Sequence, residues 1–326
     1  MPPAIDIIFG AFPMNSYSPE TREEFLKLLD EYDVKAIDTA YSYTDSEKTL
    51  GELDAPARFT IHTKAPGFRP GKLKRENLLA GMEKSLRDLK VDYVDTYYLH
   101  SPDPATPMSE IMDTIQELYQ AGKFKRFGIS NFTTQELTTL YTYASSKSYI
   151  LPTVYEGNYN PIARHSEREL FPLLRKLGMS FRAYSPLAGG FLAKSPEDMA
   201  RAMADKGGRF DTSTPIGKMY DIMYNRPALK GILGEWDAIS REAGVSKPAL
   251  ANRWVAFHSA LDGKRFGDGM IMGARRPEQL REMLEAVRDG PLPESVVRRI
   301  DAIWEIVKDD APVDNYVEAA NCAVDN

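Results

Sequence analysis

The stretch Tyr93–Ser130, YVDTYYLHSPDPATPMSEIMDTIQELYQAGKFKRFGIS, decides the fold. It opens with an apolar run rich in Tyr, Val and Leu, Tyr93–Leu99, and passes through a Pro- and Ser-rich turn. Apolar residues then recur at helical spacing over Ser109–Gln120, and Phe124–Ser130 is strand-like again. Strand, helix and strand in that order make a βαβ unit. The same alternation continues outward on both sides. Upstream, strands are expected at Ile5–Gly10, Val34–Thr39 and Phe59–Thr63, and helices at Glu20–Glu31 and Lys74–Leu89, with a short helix near Ser46–Gly51. Downstream, strands are expected at Pro152–Tyr155, Met179–Tyr184 and Gly269–Gly273, and helices at Thr134–Ser145, Glu167–Leu177 and Ala228–Ala243.

Eight strand–helix pairs suit a closed (β/α)8 barrel, the TIM barrel of the α/β class; a doubly wound open sheet has fewer strands and a Gly-rich turn after the first. Here the first turn is Gly10–Ala11–Phe12–Pro13, which is not such a turn. The expectation is a single barrel domain over residues 1–326, its active-site loops at the C-terminal ends of the strands. Two segments exceed the minimum. In Leu187–Leu229, Ala193–Gly207 reads as helical and Gly208–Pro215 as a loop over one barrel mouth; in the tail from Leu292, a helix is expected at Pro293–Lys308 and a mobile polar stretch over residues 309–326.

With 326 residues, 43% hydrophobic and 27% charged, the chain lies in the globular range. A chain this long buries about three quarters of its unfolded surface, so it needs no staple. The lone cysteine, Cys322, excludes an intrachain disulfide and a cysteine-based metal site. Forty-one basic against 47 acidic residues, net −6, argue against a general polyanion binder such as a nucleic-acid protein, but leave room for a local phosphate site. Met1–Gly10 lacks the basic and long apolar regions of a secretory signal, and nowhere are there 18 consecutive apolar residues, so a soluble cytoplasmic protein is expected.

Polar residues gather where barrel strands end: Asp38 to Tyr43 after the second, Lys64 after the third, His100 after the fourth, Ser130 and Asn131 after the fifth, Glu156 after the sixth, Tyr184 and Ser185 after the seventh. Each also has a plain structural reading: Asp38 as a turn cap, Lys64 as a solvated lysine, Tyr43 as packing. As a set, acid, lysine, phenol and imidazole make a proton-donating constellation in which carboxylate and ammonium pair and the ammonium lowers the phenol's pKa toward neutrality. No metal is required: the four histidines lack zinc-site spacing, and no G-x-S-x-G elbow occurs.

These residues resemble the aldo-keto reductases, and within them the branch of the aflatoxin-aldehyde reductases, from Phe9–Gly10 to about Leu284. The motifs that carry the resemblance are Asp38–Thr39–Ala40 with Tyr43, Lys64, Tyr98–Leu99–His100, Gly128–Ile129–Ser130–Asn131–Phe132, Pro152–Thr153–Val154–Tyr155, Tyr184–Ser185–Pro186–Leu187 with Gly189–Gly190, and Gly273–Ala274–Arg275–Arg276–Pro277–Glu278–Gln279–Leu280. It implies Tyr43 as general acid, Lys64 as its pKa partner, Asp38 as the partner of Lys64 and His100 as the residue orienting a carbonyl. It further implies NADPH/NADP+ held in extended form without a Gly-rich loop. Ser130 and Asn131 would bond the carboxamide, and Tyr184 would stack on the nicotinamide. Ser185, Leu187, Gly189 and Gly273 belong to the same cofactor-binding set. Arg275 would meet the ribose 2′-phosphate at a helix N-terminus, and Gln279 and Glu282 would touch the adenosine.

Two positions depart from the family. Glu156 stands where glutamine is usual, placing a carboxyl beside the nicotinamide; Met283 stands where asparagine is frequent, removing an adenine hydrogen bond. The expected function is NADPH-dependent reduction of an aldehyde or ketone to an alcohol, by a monomer or homodimer with a small-molecule carbonyl substrate and no membrane or nucleic-acid partner. A rival class is a non-catalytic NADPH-binding regulatory subunit of the same fold. Another, a metal-dependent hydrolase or isomerase, needs ligand clusters that the strand ends do not supply. The substrate pocket is expected from Phe12, Met14, Tyr41, the loop Ser101–Pro107, Arg209, Phe210, Tyr220, Tyr224 and Arg226.

Overall fold

Alternation with a period of two along eight short strands builds the molecule. The computed structural model describes residues 5–202 and 209–318. The strands are β1 (Asp6–Gly10), β2 (Ala36–Asp38), β3 (Thr60–Lys64), β4 (Val94–Leu99), β5 (Phe124–Ser130), β6 (Val154–Asn158), β7 (Ser180–Tyr184) and β8 (Gly269–Met272). They pair in parallel in sequence order, and β8 pairs back onto β1, which closes the barrel. One phase of the alternation points outward and buries Phe9, Ile37, Ile61, Tyr97, Phe127 and Phe181 against the helices. The other phase is linked by register: Asp38 opposite His62, Lys64 opposite Tyr98, Tyr98 opposite Gly128, Ser130 opposite Glu156 and Glu156 opposite Arg182. This inward phase is polar, and it carries the site. Gly128 is an inward position that must lack a side chain, because a Cβ there would lie 2.4 Å from the Tyr98 ring.

The outer layer begins with α1 (Pro19–Glu31), α2 (Ser46–Glu52), α3 (Arg75–Leu89), α4 (Met108–Gln120), α5 (Thr134–Ser146) and α6 (Leu170–Leu177). Their starts are chemically marked: Ser18 caps α1, with Pro19 in its first turn, and Thr133 makes a capping box with Glu136 on α5. After β7 come α7 (Pro196–Ala202), α8 (Pro215–Tyr224), α9 (Pro227–Gly231), α10 (Leu233–Ala243), α11 (Lys247–Phe257) and α12 (Gly263–Phe266); α13 (Pro277–Arg288) and α14 (Glu294–Val307) follow β8. Among the described residues no helix is long and apolar enough to cross a membrane.

The structure departs from the sequence reading in several places. Helix α11 was not expected, because it is buried almost all round, from Ala249 to Ala256, and so lacks a polar stripe. Its only local signal is Ser246 capping it with Pro248 two residues on. Strand β6 runs to Asn158, so Glu156 lies inside the barrel rather than after a strand end. Of the helix expected at Ala193–Gly207, α7 accounts for Pro196–Ala202, and residues 203–208 lie outside the described residues, as does Cys322. The segment expected to be a mobile tail is packed as far as residue 318: Ala311 and Glu318 are buried, and 315–318 form a helical turn.

Asp268, fully buried just before β8, fastens the closure. It accepts two hydrogen bonds from the Arg175 guanidinium, at 2.9 and 2.6 Å, and one each from the backbone N–H of Phe181 and Asp262. Its own carbonyl accepts from Asp6 N, so α6, β7, β8 and β1 meet at one residue. Replacing it removes the counter-charge of a half-sequestered guanidinium and orphans a buried N–H. Asp268→Ala should therefore destabilise the fold by about 3–5 kcal/mol, read from the urea midpoint at unchanged m-value.

Candidate active site

The inward phase places three ionisable groups in one sealed cluster. Lys64, at the end of β3, is completely buried, and its ammonium donates to Asp38 Oδ2 at 2.5 Å and to the Thr39 carbonyl at 2.9 Å. Glu156 Oε1 lies 3.4 Å from the same nitrogen, reaching across from β6. Burial alone would lower the lysine pKa, but Asp38, Glu156 and Tyr43 outweigh it and hold Lys64 charged. Burial pushes Asp38 up against the pull of Lys64, and burial together with Asp38 pushes Glu156 up to about 8.

Tyr43 stands above this cluster, with the ammonium 5.4 Å from its ring centroid. The expectation that Lys64 draws the phenol toward neutrality is not met. Burial raises the phenol pKa, and Asp38 and Glu156 add to it, so Lys64 offsets the rise only in part. Tyr43 therefore keeps its proton at neutral pH. His100, beyond β4, packs edge-on to Tyr43 at 5.8 Å with Nδ1 3.3 Å from Ser42 Oγ, and burial with the neighbouring Lys64 charge keeps it neutral. A protonated phenol, a fixed ammonium and a neutral imidazole thus share one barrel mouth.

Around them, Phe12 lies 5.1 Å from the Tyr43 ring, and Arg209 lies 5.6 Å from Phe12 and donates to Tyr220 Oη at 3.2 Å. Phe68 stacks edge-on to His100 at 4.8 Å and meets Tyr316 of the C-terminal segment at 6.2 Å. Asn131 donates to the His100 carbonyl and to Ser130 Oγ, and it accepts from the Tyr184 hydroxyl at 2.7 Å. That hydroxyl in turn accepts from Asn315 N at 3.2 Å. Five of the seven motifs quoted from the sequence, those of Asp38–Tyr43, Lys64, His100, Ser130–Asn131 and Tyr184, therefore meet at one face of the barrel, whereas Pro152–Tyr155 leads into β6 from its other end.

Comparison with known proteins shows the family. The model of the "Aldo/keto reductase family" matches residues 6–305. The chain belongs to the aldo/keto reductase family. It is 44% identical to the oxidoreductase sirO of Leptosphaeria maculans, over 95% of this chain and 97% of that protein. It is 37% identical to human aldo-keto reductase family 7 member A3, over 86% of this chain and 87% of that protein. It is also 36% identical to rat aflatoxin B1 aldehyde reductase member 2, over 86% of this chain and 78% of that protein.

For an aldo/keto reductase the fit to a nicotinamide cofactor can be judged residue by residue. Arg275 and Arg276 are exposed at the start of α13, and among the described residues no carboxylate pairs with either. Gln279 accepts from the backbone N–H of both and shapes that terminus. Two free guanidiniums at the N-terminus of a twelve-residue helix suit a phosphate. Gly273, above β8, has only Gly10 O near its missing Cβ, at 3.9 Å, and leaves the approach open. Ser185 and Gly189 have positive φ, 54° and 66°, and with Leu187 they turn the chain across the mouth. The set fits.

Several expected residues lie elsewhere. Met14 is fully buried in the core, and Tyr41 faces α3, where it meets Lys84 and would touch a Cβ on Gly81, so neither lines the mouth. Arg226 is no anion holder: it donates to the Asp310 carbonyl and pairs with Glu318. In the loop Ser101–Pro107, Asp103 accepts from Gly71 N, Leu73 N and Ala105 N and braces the neighbouring loop. Glu282 accepts from Ser246 Oγ at 2.6 Å, and Met283 is buried in the core, so its departure from the family leaves no gap toward an adenine. Phe210, Tyr220 and Tyr224 are all buried, with Tyr220 packing against the other two at 5.9 and 6.2 Å. Phe68 and Tyr316 were missed. Phe68 follows β3 closely enough that its position after Lys64 was a usable signal; Tyr316 is remote in sequence and had none.

Arg226 ties α8 and the chain after it to the C-terminal segment. Removing its guanidinium deletes an ion pair and a carbonyl contact that hold the segment over the mouth. Arg226→Ala should increase proteolytic loss of the C-terminal segment by about tenfold while the barrel stays intact, measured by mass spectrometry during limited digestion.

Proposed function

We propose that this aldo/keto reductase reduces an aldehyde or ketone to the alcohol with NADPH, and that Tyr43 is the general acid. The observation that carries this reading is the place of Tyr43: a half-buried phenol with a fixed ammonium 5.4 Å from its ring and a neutral imidazole packed edge-on at 5.8 Å, at the barrel mouth. NADPH, when bound, supplies a hydride to the carbonyl carbon. Tyr43 Oη gives a proton to the carbonyl oxygen as negative charge develops there. Lys64, held charged by Asp38, steadies the tyrosinate left behind; its field matters more in a sealed site than it would in water. His100, neutral, offers one ring nitrogen as a hydrogen-bond donor that orients the carbonyl.

Ser130, Asn131 and Tyr184 would hold the nicotinamide end, and Arg275, Arg276 and Gln279 the 2′-phosphate end. Relatives named as aflatoxin B1 aldehyde reductases support a carbonyl substrate. Phe12 and Phe68 offer flat apolar faces, and Arg209 a cation with no carboxylate partner among the described residues. An aromatic or acid-bearing aldehyde suits that lining.

Tyr43→Phe should lower turnover by about 100-fold or more with NADPH affinity nearly unchanged, because only the proton donor is lost. Lys64→Met should do comparable damage. NADPH oxidation with a panel of carbonyl compounds reads both; turnover within threefold of the parent would remove Tyr43 from its role. The parent should prefer NADPH to NADH, and Arg275→Ala should erase most of that preference, about 1–3 kcal/mol as a ratio of dissociation constants.

A further inference from the structure

Asp38, Lys64 and Glu156 present one ammonium to two carboxyl groups in a space closed to water, each residue no more than 3% exposed. If both carboxyls were ionised, the cluster would carry a net negative charge with no solvent to stabilise it. Two atoms show how this is avoided. Asp38 Oδ1 and Glu156 Oε2 are both buried, and neither receives a hydrogen bond from any donor around it. The two carboxyls converge on the same ammonium, so a single proton held by the pair removes the excess charge and supplies a donor where the free oxygens have none. Asp38 has the short contact with the ammonium, 2.5 Å, and keeps the charge; Glu156, at 3.4 Å, is the weaker partner and takes the proton.

The surroundings of Glu156 offer no other way to neutralise it. Asp38 and Tyr43 face it from β2 and the loop beyond, Lys64 from β3, Tyr98 from β4, and Ser130 from β5. Arg182 on β7 is committed to the Gly267 carbonyl and to Asp6, and His62, one layer down β3, is kept neutral by burial. Neither β1 nor β8 brings a charged side chain to this level.

We propose that Glu156 is a positioning residue of the carbonyl reduction: it carries a proton, donates it to Oδ1 of Asp38, and by holding the buried cluster at zero net charge keeps Tyr43 able to give up its own proton. Losing that proton places a second negative charge beneath Tyr43. The phenol then becomes a weaker acid, and the reductive step slows. In this chain the carboxyl does the work of an amide at low pH and of an inhibitory charge at high pH. The burial that pushes Glu156 up to about 8 puts this change just above neutrality.

The kinetic part rests on the function proposed above; the existence of the shared proton does not, so the two can fail separately. Infrared spectra of the protein without cofactor should show the carbonyl stretch of a buried protonated acid at pH 6, lost through about pH 8. The band should be absent from Glu156→Gln, and in the parent it should shift when glutamate carboxyl carbons carry 13C. That label keeps the test decisive even if the variant folds poorly. A band that persists in the variant, or does not shift with labelled glutamate, overturns the proposal. So does the absence of any band titrating near pH 8. For the kinetics, reductive kcat of the parent should fall about tenfold from pH 7 to pH 9.5 with KM little changed, and that of Glu156→Gln by less than about threefold. Equal slopes in the two proteins would also overturn it. If no carbonyl compound is turned over at any pH, the proposed function fails, and the infrared band still decides where the proton lies.

Discussion

An ammonium buried inside a barrel is the constraint on which the rest depends. Moving a lysine head group out of water costs several kcal/mol unless a counter-charge and hydrogen bonds replace the lost hydration. Here the partners come from neighbouring strands: Asp38 from β2 and the Thr39 carbonyl just beyond it. The pairing of β2 with β3 in that register is thus also an electrostatic requirement, since a slip by one residue would turn Lys64 out of the barrel. Because the carboxylate sits on the last residue of β2, the chain that follows it is free to loop back, and it brings Tyr43 over the ammonium. Stability and chemistry use the same contact.

The fold was legible because its signal is repetitive. Eight apolar runs with helices between them suit a closed sheet better than an open one, and the first strand boundaries fell within one or two residues. The residues at strand ends were legible for a related reason: a polar group that closes an apolar run has few structural excuses. What the sequence hid was of two kinds. Helix α11 is surrounded by protein, so it shows no amphipathic stripe. Met14 and Tyr41 sit near the right strand ends yet turn away, because a loop residue's direction depends on packing partners, α3 in the case of Tyr41, that are not adjacent in sequence. Arg226 failed likewise: it was read as a free cation, and its partners lie more than eighty residues downstream.

The groups that would meet a nicotinamide carboxamide are bonded to one another. Asn131 has its amide on the His100 carbonyl and Ser130 Oγ, its oxygen on the Tyr184 hydroxyl, and that hydroxyl on the backbone of Asn315. This chain of bonds satisfies polar atoms that would otherwise be orphaned in a narrow cleft, and it ties the C-terminal segment to the floor of the site. A ligand entering there must replace these bonds rather than merely add to them. Its affinity therefore reflects a difference between two well-satisfied arrangements. The C-terminal segment, also held by Arg226, shares in that exchange, although it lies far from the strands in sequence.

Charge is distributed to match. The molecule as a whole carries −6, yet Arg209, Arg275 and Arg276 stand at the mouth without carboxylate partners among the described residues. The Tyr17 hydroxyl, bonded to the Ala274 carbonyl, feels both Arg209 and Arg275, which places the two cations within one electrostatic neighbourhood. A cationic rim on an anionic body draws anions to one place and repels them elsewhere, and within about 10 Å it does so despite physiological salt. Inside the rim, the balance reverses: one ammonium faces two carboxyls, and neutrality depends on a proton. An anionic ligand held at the rim and a charge-neutral cluster beneath the reacting atoms are compatible only because the phenol and the imidazole between them are both uncharged. The mouth therefore separates attraction from chemistry by a single layer of neutral donors.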